Sequence, residues 1–253
     1  MKPSLTKAKP AFISSAQALG TDYHIYVDAP KEHAGPLAAV LLMDGDFFFD
    51  PAVEASRSLQ KEGRIPPTAI IGVGYGASFG QPGNYRGRDY TPTAAAEEPL
   101  SGGAAAFLDY LTGTLWPELV GRYKLRNQGR VIAGHSLGSL LVLYALFQEK
   151  PFFTRALASA PSIWWDNRSI LGLIAKLRKR HVTLKGKLYL GVGEEDSPSM
   201  LGDLGLLEKQ LKDHPFAGLS TQSCMFADRD HYNAAPDTVR SGLADLLGPD
   251  SVS

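Results

Sequence analysis

The chain has 253 residues, 44% of them hydrophobic, with 26 Lys plus Arg balanced by 26 Asp plus Glu. That is enough apolar content for a sizeable core, and a zero net charge gives no electrostatic reason to expect nucleic acid or an anionic membrane as partner. One Cys excludes an internal disulfide, and no apolar run approaches the length of a membrane span.

Met1 to Lys7 carries charge but no apolar h-region. The expectation is a cytoplasmic protein as given, or a periplasmic one if the chain is a processed form. Residues 1–11 read as a tail. Phe12 to Ala18 and Tyr23 to Val27 alternate as two antiparallel strands about a turn at Gly20-Thr21-Asp22. Leu37 to Met43 is continuously apolar, as in a strand buried on both faces. It ends in Asp44-Gly45-Asp46, a turn, and a helix is expected from about Pro51 to Glu62. Thr68 to Val73 is the next buried strand. Residues 75–100 form a long loop rich in Gly, Pro, Tyr and Arg, and loops of that length are usually functional or disordered.

Ala104 to Tyr123 is helical. A short apolar strand ends at Gly134, and an apolar helix follows Gly138. Ala156 to Ala160 is a strand and Asp166 to Arg180 a basic amphipathic helix. Leu188 to Val192 is a strand and Met200 to Lys212 a helix. Leu219 to Phe226 is the last strand and contains Cys224, read as a buried structural thiol. The last helix covers about Ala235 to Leu247. This alternation predicts a mostly parallel sheet behind an antiparallel N-terminal hairpin, with helices on both faces. It makes one α/β domain over residues 12–247, with a second tail at 248–253 and no separate cap.

Gly134-His135-Ser136-Leu137-Gly138 sits between strand and helix, which is the setting of a nucleophile elbow. The turn forces strain on Ser136 and crowds the positions two before and two after it, so both are Gly. The bare G-x-S-x-G pattern is weak: 26 Gly in this chain give on the order of 0.2 chance matches. A second match does occur, Gly76-Ala77-Ser78-Phe79-Gly80. It runs into Gln81-Pro82-Gly83-Asn84, a segment that cannot open a helix. Ser136 is therefore the candidate nucleophile and Ser78 a loop serine.

In open α/β sheets the site lies beyond the carboxyl ends of the strands, and here the triad order is Ser, acid, His. His24, His33 and His135 precede or adjoin the serine. His181 and His214 lie before strands, at the opposite edge. Only His231 comes after the last strand and can accept the Ser136 proton. The acid is expected after the Leu188–Val192 strand, where Glu194, Glu195 and Asp196 compete. Asp196 has the preferred spacing, with Glu194 next. An oxyanion hole needs two backbone amides. Leu137 should supply one, and Asp46 or Phe47 the other, with Gly45 permitting close approach. Asp44-Gly45 can equally be a simple turn.

Several further segments stand in register with these. Leu42 to Asp46, Arg86-Gly87-Arg88-Asp89-Tyr90-Thr91-Pro92, Ala160-Pro161-Ser162-Ile163-Trp164-Trp165 and His231 to Pro236 occur in one order with the elbow and the acidic turn. Together they resemble the putative-esterase family of α/β-hydrolases, and within it the enterochelin-esterase-like branch that hydrolyses trilactone siderophores. The resemblance covers about residues 12–247. It implies Ser136 and His231 as the catalytic pair, and Arg86 with Trp164 or Trp165 at the border of the substrate cleft. By their own chemistry, Arg86 and Arg88 suit an oxygen-rich ligand, or else Arg88 only braces the loop beside Asp89. One Trp can offer an aromatic wall while the other packs in the core.

The expected activity is carboxylic-ester hydrolysis of a small molecule through an acyl-enzyme. Acyl transfer to another acceptor stays open, as does a binding protein that captures esters without turnover. No cofactor or metal is expected, because no His, Cys or Asp cluster has ligand spacing. The sequence is silent on oligomeric state.

Overall fold

In the computed structural model the described residues are 5–249. Residues 1–4 and 250–253 of the two expected tails lie outside them. Eight strands form one sheet: β1 (Phe12–Ala16), β2 (Thr21–Asp28), β3 (Ala38–Met43), β4 (Thr68–Gly74), β5 (Val131–His135), β6 (Arg155–Ser159), β7 (Thr183–Gly193) and β8 (Ala217–Phe226). Their spatial order is β1-β2-β4-β3-β5-β6-β7-β8. β1 pairs antiparallel with β2 and β2 antiparallel with β4, while all later pairs are parallel. This is the expected α/β-hydrolase architecture.

The helices are α1 (Gly45–Lys61), α2 (Arg86–Asp89), α3 (Ala104–Tyr110), α4 (Trp116–Arg122), α5 (Leu137–Leu146), α6 (Trp165–Arg180), α7 (Pro198–Asp213) and α8 (Ala234–Leu247). They divide the core in two. Ala39, Leu41 and Met43 of β3 point into the layer of α3 to α7, and Ala38, Val40 and Leu42 into the layer of α1 and α8. The period of two in an all-buried strand is what allows both layers to form.

Four local departures from the expected elements have physical causes. α1 begins at Gly45, six residues before the expected start at Pro51. Pro51 withholds one helical amide, which costs about 3 kcal/mol, but Phe47, Phe48 and Phe49 are all buried in the early turns. Each such ring contributes about 1.5–3 kcal/mol, so burial wins. The expected helix 104–123 is interrupted by a π turn at Leu111–Leu115, just before Pro117, whose ring denies an amide to the turn below it.

α6 opens with Asp166, Asn167 and Arg168 at positive φ, so its first turn is not the regular helix that the amphipathic pattern predicts. Finally, β8 is an edge strand and largely exposed, and Cys224 on it is half-buried rather than buried. Its register next to β7 alone leaves one side without a strand. The described part of the N-terminal tail is also anchored: Thr6 donates its amide to the Asp46 carbonyl at 2.6 Å, and Ala11 to Ile25 at 2.7 Å. Among the described residues no helix is long and apolar enough to cross a membrane.

Candidate active site

Ser136 stands between β5 and α5 with φ 56° and ψ −117°. A Cβ on Gly134 would lie 2.5 Å from the Gly138 carbonyl carbon, and one on Gly138 3.2 Å from the Asp44 carboxylate. Gly134 is thus required by close approach to backbone, and Gly138 sits tightly against side chains, as a nucleophile elbow demands. The strained turn is held by the Ser136 amide, which donates to the Ser159 carbonyl at 2.8 Å, and by the Ser139 hydroxyl on the Gly134 carbonyl at 2.6 Å. Ser78 lies in a turn, where its carbonyl accepts from Gln81, and it does not line the Ser136 cleft.

His231 comes after β8 and Asp196 after β7. Their side chains meet: His231 Nδ1 lies 2.8 Å from Asp196 Oδ2. The other carboxylate oxygen accepts the Ser197 amide at 2.7 Å. A carboxylate on Nδ1 makes that nitrogen the donor and leaves Nε2 as the bare acceptor. Gly193 makes this meeting possible. A Cβ there would sit 2.1 Å from the Arg229 carbonyl oxygen, the same oxygen that accepts the Glu195 amide at 2.9 Å. The acid turn and the histidine loop are thereby stitched together. Glu194, the second candidate acid, is exposed, and its amide donates to Phe226.

Ser136, Asp196 and His231 line one open cleft of about 540 Å³, together with Trp164, Glu195 and Tyr232. The Ser136 hydroxyl pairs with Ser162 Oγ at 3.3 Å. Ser162 is a site residue that the sequence pattern did not single out. Its signal was its place just before the Trp pair, since β6 ends at the same edge of the sheet as β5.

Three of the candidate residues, Trp165, Phe47 and Arg86, do not line the cleft. Trp165 is buried, with its indole N–H on the Thr93 carbonyl at 3.0 Å, whereas Trp164 is 48% exposed and lines the cleft. Adjacent residues point apart, so only one can face the substrate. The Phe47 amide donates to the Asp44 carbonyl at 2.9 Å because α1 starts at Gly45. It is consumed in the first helical turn. The Leu137 and Asp46 amides lie in the first turns of α5 and α1, where no helical carbonyl reaches them.

Arg86 does not line the cleft. It grips Asp44 with two bonds, Nε to Oδ1 at 3.0 Å and a terminal nitrogen to Oδ2 at 2.8 Å, and it stacks over Phe79. Asp44 is 1% exposed and left-handed at φ 54°. Burial pushes its carboxyl above the usual range, opposed by Arg86. Arg86 thus braces the residue from which α1 and its first amides depart. Arg86→Ala leaves a buried carboxylate unpaired. The expected loss is about 3–5 kcal/mol of stability, to be read from urea denaturation midpoints. An unchanged midpoint would show that the pair is dispensable.

His135, beside the serine, is buried. Its Nδ1 lies 3.0 Å from Ser159 Oγ, its Nε2 has no partner, and its ring is 4.7 Å from that of His231. Burial, then the His231 and Arg86 charges, hold it well below the ordinary imidazole value. The unfolded chain therefore binds this proton more readily than the folded one. Stability is full above about pH 6.5 and falls as pH drops through that value, by up to about 1.4 kcal/mol per pH unit for one group. Denaturant titrations between pH 7 and 5 should show that slope. In His135→Phe it should be shallower, and an identical slope would exclude His135 as its source.

A strained serine at the strand-to-helix turn of a mostly parallel sheet, sharing a cleft with a His–Asp pair, defines a serine esterase of the α/β-hydrolase class. Comparison with known proteins gives the particular family. Residues 16–207 match the family model described as "Putative esterase", and the chain belongs to that esterase family. It is 29% identical over 257 residues to the ferri-bacillibactin esterase BesA of Bacillus subtilis, covering 90% of this chain and 86% of the relative. It is 32% identical over 215 residues to the siderophore triacetylfusarinine C esterase of Aspergillus fumigatus, covering 81% of this chain and 65% of the relative. Among solved structures, the BES protein from Bacillus cereus superposes with a TM-score of 0.85 at 23% identity, over 98% of each chain.

Proposed function

We propose that Ser136, His231 and Asp196 form the catalytic triad of a hydrolase for siderophore-type or other aromatic, oxygen-rich esters. The observation that carries this reading is the His231–Asp196 bond in the cleft that Ser136 enters. Ser136 Oγ turns from Ser162 to attack the ester carbonyl, and its proton passes to His231 Nε2. The new oxyanion takes hydrogen bonds from the Leu137 and Asp46 amides. Asp196 holds the tautomer and stabilises the imidazolium. His231 then protonates the leaving alkoxide, and water releases the acid from the acyl-enzyme.

The substrate class rests on the siderophore-esterase activities that name the two relatives above and on exposed Trp164, an aromatic wall in the cleft. Stacking on it contributes about 0.5–1.5 kcal/mol. The test is a hydrolysis panel of short acyl, long acyl, aryl and siderophore-type esters. Aromatic and siderophore-type esters should give the higher kcat/KM, and a burst of p-nitrophenol should report the acyl-enzyme. A fatty-acyl preference would overturn the substrate class. Binding without a burst or turnover would favour a capture protein instead.

A further inference from the structure

The cleft around Ser136 and His231 carries an anion on its wall. Glu195 is exposed on the turn after β7 and lines the cleft. Among the described residues neither Lys nor Arg lines this cleft.

The arginines on the flanking segments are each held by a carboxylate. Arg86 is on Asp44 at 2.8 Å, Arg88 on Asp89 at 2.7 Å, Arg168 on Asp203 at 2.5 Å and Arg229 on Asp237 at 2.6 Å. Their charges are spent within the protein. Trp164 adds a π face, which attracts cations and not anions. Glu195 therefore presents negative charge to a ligand, and the walls of a cleft focus such a field.

We propose that this lining selects esters by charge: neutral and cationic esters are turned over in preference to polyanionic ones, with Glu195 as a specificity-determining residue. The inference rests on the ester-hydrolase reading above and narrows its substrate. Among siderophore-type esters it separates two chemistries. A ferric hydroxamate is neutral, whereas a ferric catecholate carries net negative charge. The cleft suits the former, or a metal-free ester. One carboxylate a few ångströms from a substrate charge, partly screened by water, changes kcat/KM by about threefold to tenfold.

The test uses p-nitrophenyl benzoates carrying a para methyl, trimethylammonio or carboxylate group, each rate normalised to its alkaline hydrolysis. The wild-type protein should favour the cationic over the anionic ester by about tenfold or more at low salt. That ratio should shrink in high salt, fall several-fold in Glu195→Gln and approach or pass unity in Glu195→Lys. Equal turnover of the two charged esters, or a ratio indifferent to Glu195→Lys, overturns the proposal while the hydrolase reading stands. If no ester is cleaved faster than by Ser136→Ala, the hydrolase reading fails and the proposal with it.

Discussion

Ser136→Ala should lose ester hydrolysis by about 10³-fold or more in kcat while keeping its fold. The side chain stands on a backbone that only a built turn can hold: φ is 56°, Gly134 leaves no room for a Cβ and Gly138 leaves little. Alanine adopts that backbone with no greater penalty than serine, so the denaturation midpoint should shift little. The lost hydroxyl also gives up its contact with Ser162, a long, part-buried bond at 3.3 Å that adds little to stability. The measurement is steady-state turnover of an aryl ester beside a urea curve on the same sample. Residual hydrolysis near the wild-type rate, with loss in Ser78→Ala instead, would move the nucleophile to the other G-x-S-x-G segment.

His231→Ala should cost about as much as the serine change, and the double variant little more than either, because the two act as one unit. Asp196→Asn is the sharper probe of the geometry. Asp196 Oδ2 accepts from His231 Nδ1 at 2.8 Å, and Oδ1 accepts the Ser197 amide at 2.7 Å. An amide in its place can present an N–H to Nδ1, and the proton then moves to Nε2, where the base is needed. The expected loss is about 10³–10⁴-fold in kcat, as when an orienting acid of this kind is neutralised. Glu194→Gln and Glu195→Gln should each cost far less on a neutral ester, since neither carboxylate is bonded to His231. Comparable small losses at all three acids would mean that Ser136 and His231 work without a side-chain acid.

Much of this site was legible from order along the chain. The elbow is a local motif: strand, two glycines spaced around a serine, helix. Its strain and its crowding are set by residues within five positions of one another. His231 and the acidic turn were found by elimination, because a parallel sheet delivers the end of every strand to the same edge. That rule needs only the strand boundaries, and the apolar runs supply them. The parallel sheet, the antiparallel hairpin and the two helical layers come from the same runs.

Other features depended on partners distant in sequence, and these only the folded chain decided. Three neighbouring carboxyl groups look alike in sequence. Asp196 is singled out because Gly193 lets the Arg229 carbonyl approach and so draws the histidine loop onto that one side chain. Arg86 has the chemistry of a ligand-binding cation, yet Asp44, 42 residues earlier, takes two of its guanidinium N–H groups. Nothing local records that pairing. The start of α1 at Gly45 is settled by three phenylalanines burying against the sheet, against the signal of Pro51. Strain at the elbow, the mostly parallel sheet and the residue types of the candidate site are short-range or topological, so the sequence by itself determined them. Which carboxylate meets the histidine, which Trp faces the cleft and which arginine charges are cancelled depend on long-range packing, and only the tertiary structure brought those groups together.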